Sequence, residues 1–291
     1  MSDSHGAYFI PEPSQWPIVG TLALFVSFVG AAMMLNGSGF GTFIFGAGMA
    51  ALIYMFAGWF ADVIGESLKG LYSDQVDISF RWGMGWFILS EVMFFAAFFG
   101  ALYYARIFSV PWLSGEGAGA VTNAFLWPDF EASWPLNAMP DPKNFTVFEE
   151  VIPAFGVPAV NTAILLTSGA TVTFAHWALK KENRSGLCWW LAATVALGFI
   201  FVGLQAQEYA HAYHELNLTM NSGIYGSTFF MLTGFHGFHV TMGATMLLVI
   251  LVRSMKGHFS EENHFAFEGV AWYWHFVDVV WLGLFIFVYW L

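Results

Sequence analysis

The chain has 291 residues, of which 58% are hydrophobic, 20% aromatic and only 10% charged. A soluble domain carries about 25% charged residues, so this composition excludes a water-solvated globule and points to a chain solvated mostly by lipid. A net charge of −11 supplies no basic surface for nucleic acid, and Cys188, the one cysteine, excludes an internal disulfide, a CxxC pair and a thiolate metal site.

Residues 1–16 read as a polar tail, with Asp3, Glu12, two prolines and no Lys or Arg, so no cleavable signal is expected there. Crossing a bilayer takes roughly 20 apolar residues. Pro17 to Ala61 is free of charge for long enough to cross twice, and Asn36-Gly37-Ser38-Gly39 is the turn between the crossings. Gly37, Gly39 and Gly41 have no strand before them, so they read as a turn with close helix packing and not as half of a nucleotide loop. At the inner end of the second span stand Asp62 and Glu66.

The third span is expected at about Trp82 to Ala105, interrupted only by Glu91. On that helix Phe87, Phe94 and Phe95 lie one turn from the carboxyl, and rings do not hydrogen-bond an anion, so the acid is expected to stay neutral. Two readings stand side by side: a proton-linked or gating carboxyl, and a neutral acid hydrogen-bonded to a neighbouring helix. Ser109 to Pro153 is a long segment rich in Pro, Gly, Asn and Trp, with six acids against Lys143. It reads as a cap over helix ends, and its acidity could also attract a basic soluble partner.

Further spans follow at about Val157 to Leu179, Ser185 to Gln207, Ser222 to Val252 and Ala266 to Trp290. That makes seven, in an all-α polytopic membrane protein; the long sixth run needs only one tilted helix. His236 and His239 sit three apart on the sixth, and His211 and His214 repeat that spacing at the end of the fifth. Imidazoles suit haem or copper, but no HExxH accompanies them, and buried structural histidines are the plainer reading. His275 and Asp278 stand three apart in the seventh span, where an acid costs about 2.5–3.5 kcal/mol even on the lenient insertion scale. Arg253 and Lys256, at the end of the sixth, suit either a lipid phosphate or a positive anchor. A cytoplasmic N-terminus places Lys69, Arg81, Lys180, Lys181, Arg184, Arg253 and Lys256 inside and only Arg106 and Lys143 outside, so the C-terminus is expected outside.

A set of short strings runs in order through nearly the whole chain: Ser14-Gln15-Trp16-Pro17; Trp59 with Asp62-Val63-Ile64 and Glu66-Ser67; Ser90-Glu91-Val92-Met93-Phe94-Phe95; Asn161-Thr162 with Ala175-His176; Tyr225-Gly226-Ser227-Thr228-Phe229-Phe230; Thr233-Gly234-Phe235-His236-Gly237 with His239-Val240; and Ala271-Trp272-Tyr273-Trp274-His275-Phe276-Val277-Asp278. Together they resemble subunit III of the haem-copper cytochrome c oxidases.

The resemblance implies a subunit with no catalytic residue, redox centre or metal of its own, in a complex whose haem and copper sit in subunits I and II. Cytochrome c supplies the electrons, oxygen is reduced to water and protons are pumped. It implies a two-helix bundle over 17–67 splayed from a five-helix bundle over 68–291, the latter including an external loop at 109–153, with phospholipid held in a V-shaped cleft. Lipid contact then falls to Trp59, Glu66 and Arg253, a structural polar network to His236, His239, His275 and Asp278, and the family's carbodiimide-reactive acid matches Glu91. Support of proton uptake, protection from turnover-linked inactivation and a bacterial-type cytoplasmic membrane are further implications. Phe60, Ala61 and Gly65 stand where the family commonly has a tryptophan and two arginines, which shifts headgroup binding towards Arg253. A seven-helix proton-coupled transporter is the competing reading; it should show internal repeats, and none is visible.

Overall fold

The computed structural model describes residues 11–291, and all regular structure among them is helical. The first ten residues of the expected polar tail lie outside the described residues. Among the described residues, seven helices are long and apolar enough to cross a membrane. They are α1 (Trp16–Leu35), α2 (Phe40–Leu68), α3 (Asp74–Tyr104), α4 (Val157–Lys180), α5 (Arg184–His214), α6 (Gly223–Met255) and α7 (Phe265–Leu284). A π-helical turn at Ala105–Ser109 and a short helix at Val110–Leu113 prolong α3, so its rod reaches eight residues beyond the expected end at Ala105. It also begins eight residues early. Asp74 and Asp77 favour the helix N-terminus, and Asp77 pairs with Arg81 one turn on at 2.7 Å.

The chain forms two compact units that divide inside α3, one ending at Trp82 and the other running Gly83–Leu291. In the first, α1 and α2 make an antiparallel hairpin whose contact is built from small residues. Trp16, Gly20, Ala23, Ser27 and Gly30 are the buried residues of α1, spaced alternately four and three apart, which is one helix face. Gly41, Gly48 and Met55 answer them from α2 at intervals of seven. A Cβ on Gly48 would meet the Ser27 backbone at 2.5 Å, and one on Gly41 the Met34 nitrogen at 2.6 Å, so the two backbones touch where side chains are missing. Gly37 turns the chain between them with φ +78, a conformation in which a Cβ is strained. The indole of Trp16 closes the far end by donating to the Asp62 carboxylate at 2.6 Å.

The second unit packs α4 to α7 around large side chains. Trp274, Trp281, Phe201, Phe229 and Phe267 are among the largest that are fully buried. A buried indole N–H needs an acceptor: Trp274 donates to Ser168 and Trp281 to Thr162, each at 2.9 Å, joining α7 to α4 twice. Gly198 and Gly243 flank the Trp274 ring, where a Cβ on either would lie 2.8 Å from a ring atom. Arg184, at the start of α5, donates to the Ser254 and Met255 carbonyls and so satisfies the open end of α6. The segment between Leu126 and Val157 buries Phe130, Leu136, Met139, Phe148 and Ile152, which makes it an apolar-backed cap. Trp134 and Phe148 lie against Tyr225 with ring centroids 5.5 and 5.4 Å away.

Candidate functional site

Glu91 of α3 and His239 of α6 come together, 148 residues apart in sequence, with Oε2 and Nε2 2.9 Å from each other. Their side chains are 22% and 9% exposed, so the pair is largely withdrawn from its surroundings. The other ring nitrogen of His239, Nδ1, stands 2.7 Å from the Phe235 carbonyl oxygen, which can only accept, so Nδ1 carries a hydrogen. Nε2 and the carboxyl then share one proton. Held on Glu91 it gives a neutral acid and a neutral imidazole; held on His239 it gives an ion pair, and the net charge is zero both ways. The site can therefore shift a proton by one hydrogen bond without changing its charge.

Its walls are aromatic. Phe95 is 5.0 Å from the imidazole centroid, edge on, and Tyr273 of α7 lies nearly parallel to it at 6.2 Å. Phe94 seats its ring on Phe235 at 4.9 Å, next to the carbonyl that orients His239. The rings expected one turn from Glu91 are there, and the partner on another helix is the imidazole.

The remaining polar residues of the helices occupy separate places. His236 is fully buried, with Nε2 3.2 Å from the Val277 carbonyl and its ring between Phe201 and Trp281. With His239 already bonded at both nitrogens, the two imidazoles do not converge as metal donors. His275 and Asp278 approach to 3.6 Å, longer than a hydrogen bond, while His275 Nε2 stands 3.4 Å from the Thr173 hydroxyl. Asp278 fits because residue 169 is glycine: a Cβ there would lie 2.5 Å from its Oδ2.

Of the residues expected at lipid, Trp59 is half exposed, and Glu66 accepts a hydrogen bond from Tyr72 at 2.7 Å. Burial, then that bond and the carboxylate's charge, hold the Tyr72 hydroxyl well above the ordinary tyrosine range. Arg253 is buried at the end of α6 with its guanidinium carbon 4.5 Å from the Phe259 ring centroid, and its Nε has no hydrogen-bond partner. Two features escaped the sequence. Glu208 of α5, buried, accepts from the Tyr289 hydroxyl at 2.6 Å, and its only local signal is an acid just past the expected end of the fifth span. His176 of α4 meets His264 and Glu268 at the start of α7, and only the four-residue spacing of the last two hints at it.

The family model described as cytochrome c oxidase subunit III matches residues 5–117 and 123–291. The chain is 40% identical over 291 residues to the protein named cytochrome c oxidase subunit 3 of Squalus acanthias, an alignment covering 100% of this chain and 99% of the relative. It is 38% identical over 291 residues to that of Equus caballus, with the same coverage. The protein of that name from Arabidopsis thaliana is 39% identical over 285 residues, covering 98% of this chain and 96% of the relative.

Proposed function

The chain belongs to the cytochrome c oxidase subunit III family, an integral membrane subunit of a terminal oxidase, and from that premise we propose that its work in the complex is to bind phospholipid and support its partners. Subunit III carries no redox centre. On this reading subunits I and II hold the haem and copper, cytochrome c supplies the electrons to them, and this chain packs on subunit I to sustain proton uptake and catalytic lifetime. The observation that carries the reading is a match running through both helical units, with the sites' residues inside it. A transporter reading is not favoured by such a match.

Lipid binding rests on Arg253. A buried guanidinium with an unpartnered Nε is costly unless an acceptor reaches it, and a phosphate oxygen at a helix end supplies one. Trp59 and Glu66, seven residues apart on one face of α2, are the second lipid contact on this reading. The two-plus-five division at residue 67 belongs to the same proposal. The complex purified through a tag on this chain should contain haem. Arg253→Ala should lower its tightly bound phospholipid while leaving the haem content unchanged; unaltered lipid would return Arg253 to the role of a positive anchor.

The orientation proposed is N-terminus cytoplasmic and C-terminus external, in a bacterial-type cytoplasmic membrane. Its support is the placing of Lys180, Lys181, Arg184 and Arg253 at the ends of α4, α5 and α6, the last two of which the Arg184 side chain ties together. A reporter active only in the cytoplasm should work at Met1 and fail at Leu291. Equal activity at both ends would require an even number of crossings.

A further inference from the structure

His176 lies in the last turn but one of α4, His264 caps the start of α7, and Glu268 sits one turn into α7. The Nε2 atoms of the two imidazoles are 3.3 Å apart, and Glu268 Oε1 is 3.5 Å from each of them. Three donor atoms thus form a nearly equilateral triangle. A tetrahedral zinc ion with ligands at about 2.0–2.1 Å sets its ligand atoms about 3.3–3.4 Å apart, which is the edge of that triangle.

The protons argue the same way. His264 Nδ1 is 3.0 Å from the Ser260 carbonyl oxygen, an acceptor only, so in the neutral ring Nδ1 carries the hydrogen and Nε2 is a lone pair. That lone pair faces a second imidazole nitrogen and a carboxylate oxygen. A cation at the apex of the triangle meets all three donor atoms. The Ser260 carbonyl also fixes the ring orientation as outer-shell acceptors do for ligating histidines. The side chains of His176, His264 and Glu268 are 23%, 8% and 13% exposed, so the three donors are largely but not wholly enclosed. Lys180, one turn beyond His176, is exposed.

We propose that His176, His264 and Glu268 bind a divalent transition-metal ion, Zn²⁺, with the fourth position left to water, joining the end of α4 to the start of α7. Two imidazoles and one carboxylate are a zinc donor set. The site stands on this geometry and is independent of the lipid and proton-uptake reading.

The test uses the whole detergent-purified oxidase, stripped with a chelator and equilibrated against buffered Zn²⁺, with zinc and haem both counted. Wild type should hold one more tightly bound zinc per complex than either His264→Gln or Glu268→Gln, with the affinity of that site falling at least about tenfold in each variant. Zinc X-ray absorption on the wild type should show two imidazole ligands that decline to one in His264→Gln. Should that variant fail to assemble, Glu268→Gln, which keeps the side chain's size, carries the comparison alone. Equal zinc binding by wild type and the assembled variants, or an absorption spectrum without imidazole, would overturn the assignment.

Discussion

The α1–α2 hairpin and the α6–α7 pair are both apolar, yet they hold together by opposite means. Only three of the 29 residues of α2 are buried, two of them glycine, against sixteen of 33 in α6. In the hairpin the backbones approach because side chains are missing; around α7 the space is filled by Trp274 and Trp281, whose indoles hydrogen-bond to α4. In lipid, contact between helices gains no hydrophobic driving force, so fit and polar links decide. Apolar composition alone does not say which device a helix uses.

The largest effect should come from emptying the tryptophan layer. Trp274→Ala leaves a cavity between Gly198 and Gly243 and removes the N–H donated to the Ser168 hydroxyl, a loss of about 3–5 kcal/mol for a buried ring. It should appear as a lower thermal inactivation temperature of the purified complex, while Trp59→Ala, at a half-exposed position, should move that temperature little. Equal effects would erase the distinction between the two regions. In the hairpin the sign of the volume change reverses: Gly48→Leu should cost about 1–3 kcal/mol by overpacking against the Ser27 backbone. Cysteine cross-linking between α1 and α2 should report it as lost yield, with Gly46→Leu as the control, since nothing lies near a Cβ there.

The smallest effect is expected at Glu91. A glutamine amide can still donate to His239 Nε2, so Glu91→Gln should leave initial turnover and proton pumping within about twofold of wild type, roughly 0.4 kcal/mol in barrier. Glu91→Ala leaves that nitrogen without its partner and should shorten the catalytic lifetime. An immediate collapse of pumping in the glutamine variant, with the complex intact, would make the carboxyl a carrier of protons.

Hydropathy located seven spans because a charge-free run is a direct record of where lipid surrounds the chain. It misjudged lengths for the same reason. The third rod starts at Asp74 and runs to Leu113, eight residues past the expected span at each end, because charged residues at its ends, Asp74, Asp77, Arg81 and Arg106, lie within the helical rod. The single long α6 was legible, its glycines and histidines notwithstanding. Pairings across helices were not. Periodicity tells which residues share a face, as with Glu91 and its phenylalanines, but carries no information on which helix that face meets. His239, His176 and the tryptophan acceptors Ser168 and Thr162 became readable only once the bundle was in place.

The gap at Gly169 has a consequence for how this chain can vary. Asp278 Oδ2 occupies the space that a side chain at residue 169 would claim, so the two positions share one volume. An alanine at 169 is unfavourable while 278 is aspartate, and tolerable once 278 is smaller. Each substitution is conditional on the other, and a pairwise genetic scan should find these two positions, 109 residues apart in the sequence, behaving as a single site.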